Sequence, residues 1–336
     1  MAEASRDLMN SSQKTETPIR ARTSEGFNKT YGIVPPREQW SSNRNVRLTP
    51  YHPRQRDLGG VFYEAAGWER PMWYESNARL LAEYGDRVMP RRDEWDARWW
   101  SPIINAEHLA LRDRAGIIDL STFAIFDVSG PGALACLQRL AVAQIDAPVG
   151  RVIYTSFLNP AGGIKADLTI IRLAHDRFRV VTGGLDGMRD KKWISDHLPE
   201  DGSAQLADLT SAWSALGVWG PRARDIVSAA TDDDVSNAAF PFATCQWIDV
   251  GPVRVLASRI SYVGELGWEL YVPIEQGARL WDALWEAGRP FGLTPVGAGV
   301  YGTTARLEKG YRAYGNELEQ EYNLVESGLA RRTVKS

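Results

Sequence analysis

Residues 152–173 read VIYTSFLNPAGGIKADLTIIRL. An apolar run from Val152 to Leu158 is followed by Asn159, Pro160, Ala161, Gly162 and Gly163, and a second apolar run begins at Ile164. Two strand-like runs joined by a short Asn/Pro/Gly segment predict a β-hairpin, because those residues supply the backbone geometries a chain reversal needs. Hairpin-linked strands interleaved with helices favour an α+β fold over a doubly wound parallel sheet. Alternation along the second run puts Ile164, Ala166, Leu168 and Ile170 on one face, and Lys165, Asp167, Thr169 and Ile171 on the other. Asp167 thus falls in mid-strand. An aspartate is poor strand material and costly to desolvate, so it either faces solvent, which the pattern alone favours, or is held for a purpose.

Outward from the hairpin, the same grammar continues. Ile104, His108, Leu111 and Ala115 recur at helical spacing, with Gly116 as the expected terminator. Phe123 to Val128 reads as a strand, and Gly130-Pro131-Gly132 opens a helix whose Leu134, Leu137, Leu140 and Ala141 face a core. Phe178 to Thr182 is a further strand, followed by a helix from Leu185 to His197. A second block starts near Leu209, with strands at Ala215–Trp219, Val253–Ser261 and Trp268–Val272 and helices at Pro221–Ala230 and Glu275–Ala287.

Residues 31–102 carry Pro, Arg and aromatics without a sustained period, which predicts an irregular segment draped on a folded body. Trp68, Trp73, Trp95, Trp99 and Trp100 would pin it there through their large buried areas. The resulting division is a disordered tail over 1–24, the irregular segment over 25–101, α+β domains over 102–208 and 209–330, and a short tail over 331–336.

Composition narrows the function classes. A chain of 336 residues with 44% hydrophobic residues can bury a sizeable core. A net charge of −3 gives no basic face for nucleic acid, so the expected ligand is small. Cys136 and Cys245 are too few and too distant for a disulfide framework or a zinc site, which points to packing roles, a reducing compartment and a cytoplasmic location. No metal is expected. Gly130-Pro131-Gly132 lacks the spacing of a dinucleotide fingerprint.

A second informative stretch is Ser261-Tyr262-Val263-Gly264-Glu265-Leu266-Gly267-Trp268-Glu269-Leu270. Its glycines permit a bend that could present Glu269 to a cavity, where an acceptor-only carboxylate takes paired hydrogen bonds from an aminopyrimidine-like edge. An exposed hairpin with charged tips fits the pattern equally well.

Four runs stand in the order and approximate spacing of the glycine-cleavage T-protein family. They are Ile153-Tyr154-Thr155 to Asn159, Gly162 to Thr169, Tyr262 to Glu269, and Arg306-Leu307-Glu308-Lys309-Gly310-Tyr311. The chain resembles that family over roughly Ile103 to Leu329. Gly67-Trp68-Glu69-Arg70-Pro71, Trp73-Tyr74, Ser121-Thr122-Phe123-Ala124 and Asp186 to Trp193 bring it closer to the folate-binding region of dimethylglycine and sarcosine dehydrogenases.

The resemblance implies the aminomethyltransferase fold, two α/β domains of mixed or antiparallel sheet around a central channel that binds tetrahydrofolate. It implies Asp167 as the catalytic aspartate, Glu269 as the carboxylate gripping the pterin ring, and Tyr262 and Tyr154 as tyrosines lining the same cavity. The implied reaction is transfer of a one-carbon unit from an aminomethyl or N-methyl-derived donor to tetrahydrofolate, with no FAD bound by this chain itself and a flavin-dependent dehydrogenase subunit as a partner. The alternatives are a non-catalytic folate-binding or assembly subunit, and a folate-dependent demethylase of methoxy or sulfonium donors. Two departures stand out. Gly302 occupies the position where many T-proteins carry an arginine, and the chain stops at Ser336, where family members continue into a carboxy-terminal barrel.

Overall fold

The computed structural model describes residues 11–33, 38–90 and 99–330. The helices are α1 (Glu16–Thr30), α2 (His52–Asp57), α3 (Arg79–Tyr84), α4 (Ile103–Asp113), α5 (Ala133–Leu140), α6 (Gly187–Ser195), α7 (Ala223–Ala230) and α8 (Gly277–Gly288). The strands are β1 (Gly60–Ala65), β2 (Trp68–Tyr74), β3 (Ala115–Asp119), β4 (Ala124–Ser129), β5 (Val152–Leu158), β6 (Ile164–Ala174) and β7 (Arg177–Thr182). They continue as β8 (Gln205–Asp208), β9 (Trp213–Trp219), β10 (Cys245–Val250), β11 (Val253–Ser258), β12 (Gly267–Pro273) and β13 (Leu293–Pro295). A π-helix covers Val300–Ala305 and runs into a single α-turn, Arg306–Glu308.

Two sheets form the body. One has the order β5-β6-β7-β4-β8, with every neighbour antiparallel. The other has the order β10-β11-β12-β9-β3-β13, antiparallel except for the parallel pair β3 and β13. The expected α+β class is what the chain adopts. The boundary expected between 208 and 209 does not follow the sheets, because β3 pairs with β9 and β13 in the second sheet. Gly116 likewise lies inside β3 rather than ending a helix. Such pairings join residues 97 or more positions apart and leave no local periodic signal.

Strand alternation sorts side chains into three apolar layers. Ala166, Leu168, Ile170, Phe178 and Val180 pack with Leu137 of α5 and Ile194 of α6 on the outside of the five-stranded sheet. Leu216, Val218, Leu270 and Val272 pack with Ile226 of α7 and Leu280 and Leu284 of α8 outside the six-stranded sheet. The inner faces meet each other: Ile125, Val152, Ile171 and Val181 share one cluster with Ala215, Trp219, Leu256 and Tyr271. The face that carries Asp167 is therefore an inter-sheet face.

The segment before Pro102 is more regular than its composition suggests. β1 and β2 form a hairpin closed by Ala66 and Gly67, both at positive φ, the geometry of a type I′ turn. Alanine seldom adopts that conformation, so the turn carried no recognisable signal. Of the disordered tail expected over 1–24, residues 1–10 lie outside the described residues, and the rest is corrected: Glu16–Thr30 is helical, and Arg22 and Lys29 both lie over the Trp40 ring. Trp68 and Trp73 are buried as expected, while Trp95 lies outside the described residues.

Two buried carboxyls tie this segment down. Glu107 of α4 accepts hydrogen bonds from the Tyr74 amide at 2.7 Å, Asn77 Nδ2 at 2.9 Å and the Gly297 amide at 2.9 Å. Asp119 accepts from Thr49, Gln55 and the Ser121 amide. Cys136 and Cys245 are buried free thiols. Among the described residues no helix is long and apolar enough to cross a membrane.

Candidate functional site between the sheets

The β5–β6 turn is built by Asn159, whose Oδ1 accepts from the amides of Ala161 and Gly163, both at 2.9 Å. A Cβ on Gly163 would lie 1.8 Å from the Gln320 carbonyl oxygen, so only glycine lets the carboxy-terminal segment pass this close. Beyond the turn the Ile164 amide donates to the Tyr322 carbonyl, and Asp167 then pairs in register with Ser156.

Asp167 is half-buried on the inner face rather than pointing to bulk solvent. Burial, followed by the nearby Asp190 and Asp186 carboxylates, pushes its carboxyl up to about 7, against the opposing pull of Tyr154 and Arg189. Tyr154 is 46% exposed, and its hydroxyl is 3.4 Å from Asp167 Oδ2, a long hydrogen bond. Asp190 is fixed by Thr182 Oγ1 at 2.6 Å and by Arg189, which also reaches Asp186 at 3.0 Å and lies over the Tyr314 ring. The run Asp186 to Trp193 thus supplies charges behind Asp167, a placement that its sequence position did not reveal.

Glu269 lies on β12, opposite Ser258 of β11 and Gly217 of β9. It enters through Gly267, at φ +156°, where a Cβ would fall 1.9 Å from the Val218 carbonyl oxygen. Glu269 is 8% exposed, and its Oε2 accepts from the Tyr271 hydroxyl two residues along the same strand face. No cation pairs with it among the described residues, and Oε1 has no hydrogen-bond partner there. Burial pushes the carboxyl up to about 7, with only Tyr271 opposing.

An aromatic wall joins the two carboxyls, which do not bond to each other. Tyr262 lies parallel to Tyr311 at 6.0 Å and against Tyr301 at 5.2 Å. Its hydroxyl is committed to the Arg312 carbonyl at 2.6 Å. Tyr301 in turn stacks on Trp219 at 5.8 Å and meets Phe123 edge-on. Its phenol is pushed well up by burial and then by Glu269 and Tyr262, with Asp167 adding to the effect, so it lies within electrostatic reach of both carboxyls. Tyr301 escaped the sequence reading because π-helices have no periodic signature.

Other residues of the motif runs hold the frame. Arg306 is buried and binds the Gly302 and Tyr311 carbonyls and Glu317, fastening the carboxy-terminal segment. Glu265 pairs with Arg112 at 2.9 Å, and Arg112 also binds Glu308. A Cβ at Gly302 would meet nothing within 4 Å. Among the described residues no group of three or more His, Cys, Asp or Glu could hold a metal.

The family described as GCVT N-terminal domain matches residues 51–336. A 4-methylaminobutanoate oxidase (formaldehyde-forming) from Paenarthrobacter nicotinovorans is 35% identical over 91% of this chain and 36% of its own length. The mitochondrial sarcosine dehydrogenase of Mus musculus is 32% identical over 93% of this chain and 37% of its own. The chain thus spans little more than a third of these relatives. Among solved structures, the glycine cleavage system aminomethyltransferase T from Bartonella henselae shares the fold, with a TM-score of 0.66 at 22% identity over 86% of this chain and 70% of that one. With a family match across most of its length, and the paired sheets of that fold, the chain belongs to the glycine-cleavage T-protein (aminomethyltransferase) family.

Proposed function

We propose that this chain binds tetrahydrofolate between its two sheets and takes part in transfer of a one-carbon unit from an N-methyl-derived or aminomethyl donor. The observation that carries the reading is Glu269: a buried carboxyl with no cation and one oxygen free to accept among the described residues, beside a wall of stacked aromatics. A pterin ring is planar and offers an aminopyrimidine edge of N–H donors, which that carboxylate would accept as charge-assisted hydrogen bonds. Bound folate would supply the nitrogen nucleophiles that receive the carbon. Asp167, with its carboxyl near 7, would take the proton released as the new carbon–nitrogen bond forms and would stabilise positive charge on the incoming group.

The donor would come from a flavin-dependent dehydrogenase partner, a reading supported by relatives that are an oxidase and a dehydrogenase. A second reading is a folate-binding or assembly subunit without turnover of its own.

Titration of the purified chain with tetrahydrofolate, followed by calorimetry and tryptophan fluorescence and run beside FAD, tests the proposal. Saturable folate binding is expected, and Glu269→Ala should weaken it roughly ten- to a hundredfold, the value of a lost charge-assisted pair. A wild-type chain that fails to saturate with folate, or that carries stoichiometric flavin, would sink the reading. Saturation without turnover in the presence of the donor-generating partner favours the second reading.

A further inference from the structure

We propose that Tyr301 contacts the ligand, its hydroxyl hydrogen-bonding the same planar ring whose N–H edge Glu269 accepts; this rests on the folate reading above. The residue is 6% exposed, and Trp219, Tyr262 and Phe123 hold its ring from three directions. Its orientation is therefore set before any ligand arrives.

The hydroxyl is what singles it out. The neighbouring tyrosines spend theirs on protein: Tyr271 donates to Glu269, and Tyr262 donates to the Arg312 carbonyl. The Tyr301 hydroxyl makes no hydrogen bond with any described residue, and the residue keeps 6% of its surface accessible. A polar group so placed in a largely buried residue calls for a partner from outside the fold.

Two further observations point the same way. Tyr301 is carried by a π-helix, a rare element that frequently occurs at functional sites. The adjacent Gly302 has open space where its Cβ would be, so the π-turn is unobstructed beside Tyr301. Tyr301 shares the inter-sheet cluster with Tyr271, whose hydroxyl donates to Glu269, and its phenol feels Glu269 more than any other side chain.

Tyr301→Phe removes the hydroxyl and keeps the stack. Two probes are used, tetrahydrofolate and 6-methyltetrahydropterin, which shares the ring but lacks the aminobenzoyl-glutamate tail. The variant should bind both about fivefold more weakly, the worth of one neutral hydrogen bond, with an unchanged urea midpoint. Combined with Glu269→Gln, the losses should be non-additive, as for two groups holding one ring. Wild-type affinity in Tyr301→Phe for both probes overturns the inference while leaving the folate reading intact. A loss confined to tetrahydrofolate, or a lowered urea midpoint, also overturns it, since the hydroxyl would then serve the tail or the protein. If the wild-type chain binds neither probe, the underlying folate reading is what fails.

Discussion

Glu269→Gln should make the protein more stable and a poorer folate binder, with the stability gain depending on pH. The carboxyl lies buried on the inner face of β12 with one hydrogen bond, from Tyr271, and no cation among the described residues. Its folded-state value near 7 stands above the ordinary 4.5 because burial disfavours the charge. Below 4.5 the group is protonated in both folded and unfolded states. Between 4.5 and 7 the folded chain keeps the proton that the unfolded chain releases, so stability falls as pH rises; above 7 the penalty is constant. With a shift of about 2.5, at 1.36 kcal/mol for each, the penalty is about 3 kcal/mol at pH 8 and under about 1 kcal/mol at pH 5. Glutamine is nearly isosteric, can accept the Tyr271 hydrogen bond and never ionises. Urea unfolding of wild type and variant at pH 5, 6.5 and 8 isolates this group, because Asp167 and Glu107 titrate alike in both proteins and cancel. The variant should lead by about 3 kcal/mol at pH 8, with the lead shrinking towards pH 5. A variant less stable than wild type at pH 8, or one with a pH-independent offset, would refute the placement of Glu269 as an uncompensated buried acid.

Asp167→Asn should lower turnover by about a hundredfold while folate affinity changes much less, since charge stabilisation acts mainly in the transition state; single-turnover kinetics of the active assembly separate the two, and equal losses would make Asp167 an anchor instead. Glu107→Ala strands three buried donors at about 1–3 kcal/mol each, so it should cost more than about 3 kcal/mol in urea unfolding and raise hydrogen exchange at Tyr74 and Gly297. Gly163→Ala should push the Gln320 carbonyl away, and hydrogen–deuterium exchange should quicken at Ile164, which donates to Tyr322, without a comparable change in the outer helices. Unchanged exchange at Ile164 would mean that the carboxy-terminal segment does not rest on this turn.

The hairpin from Val152 to Leu173, its Asn/Gly turn and the two faces of β6 were legible because each depends on residues adjacent in the chain: alternation needs only the pleat, and the turn only its own five residues. The order of the four motif runs likewise pointed to the family. What adjacency could not say was which body each face would meet. Asp167 read as solvent-facing on pattern alone, and it became an inter-sheet acid only because β3, β9 and β12 assemble a second sheet opposite it. The β1–β2 hairpin was hidden by an alanine held at positive φ, a strain that only the surrounding contacts sustain. Tyr301 was hidden for a related reason. Its place against Tyr262 and Trp219 comes from a π-turn and from strands far away in sequence, and side chains brought together by long-range pairing leave no mark in the local spacing of the chain.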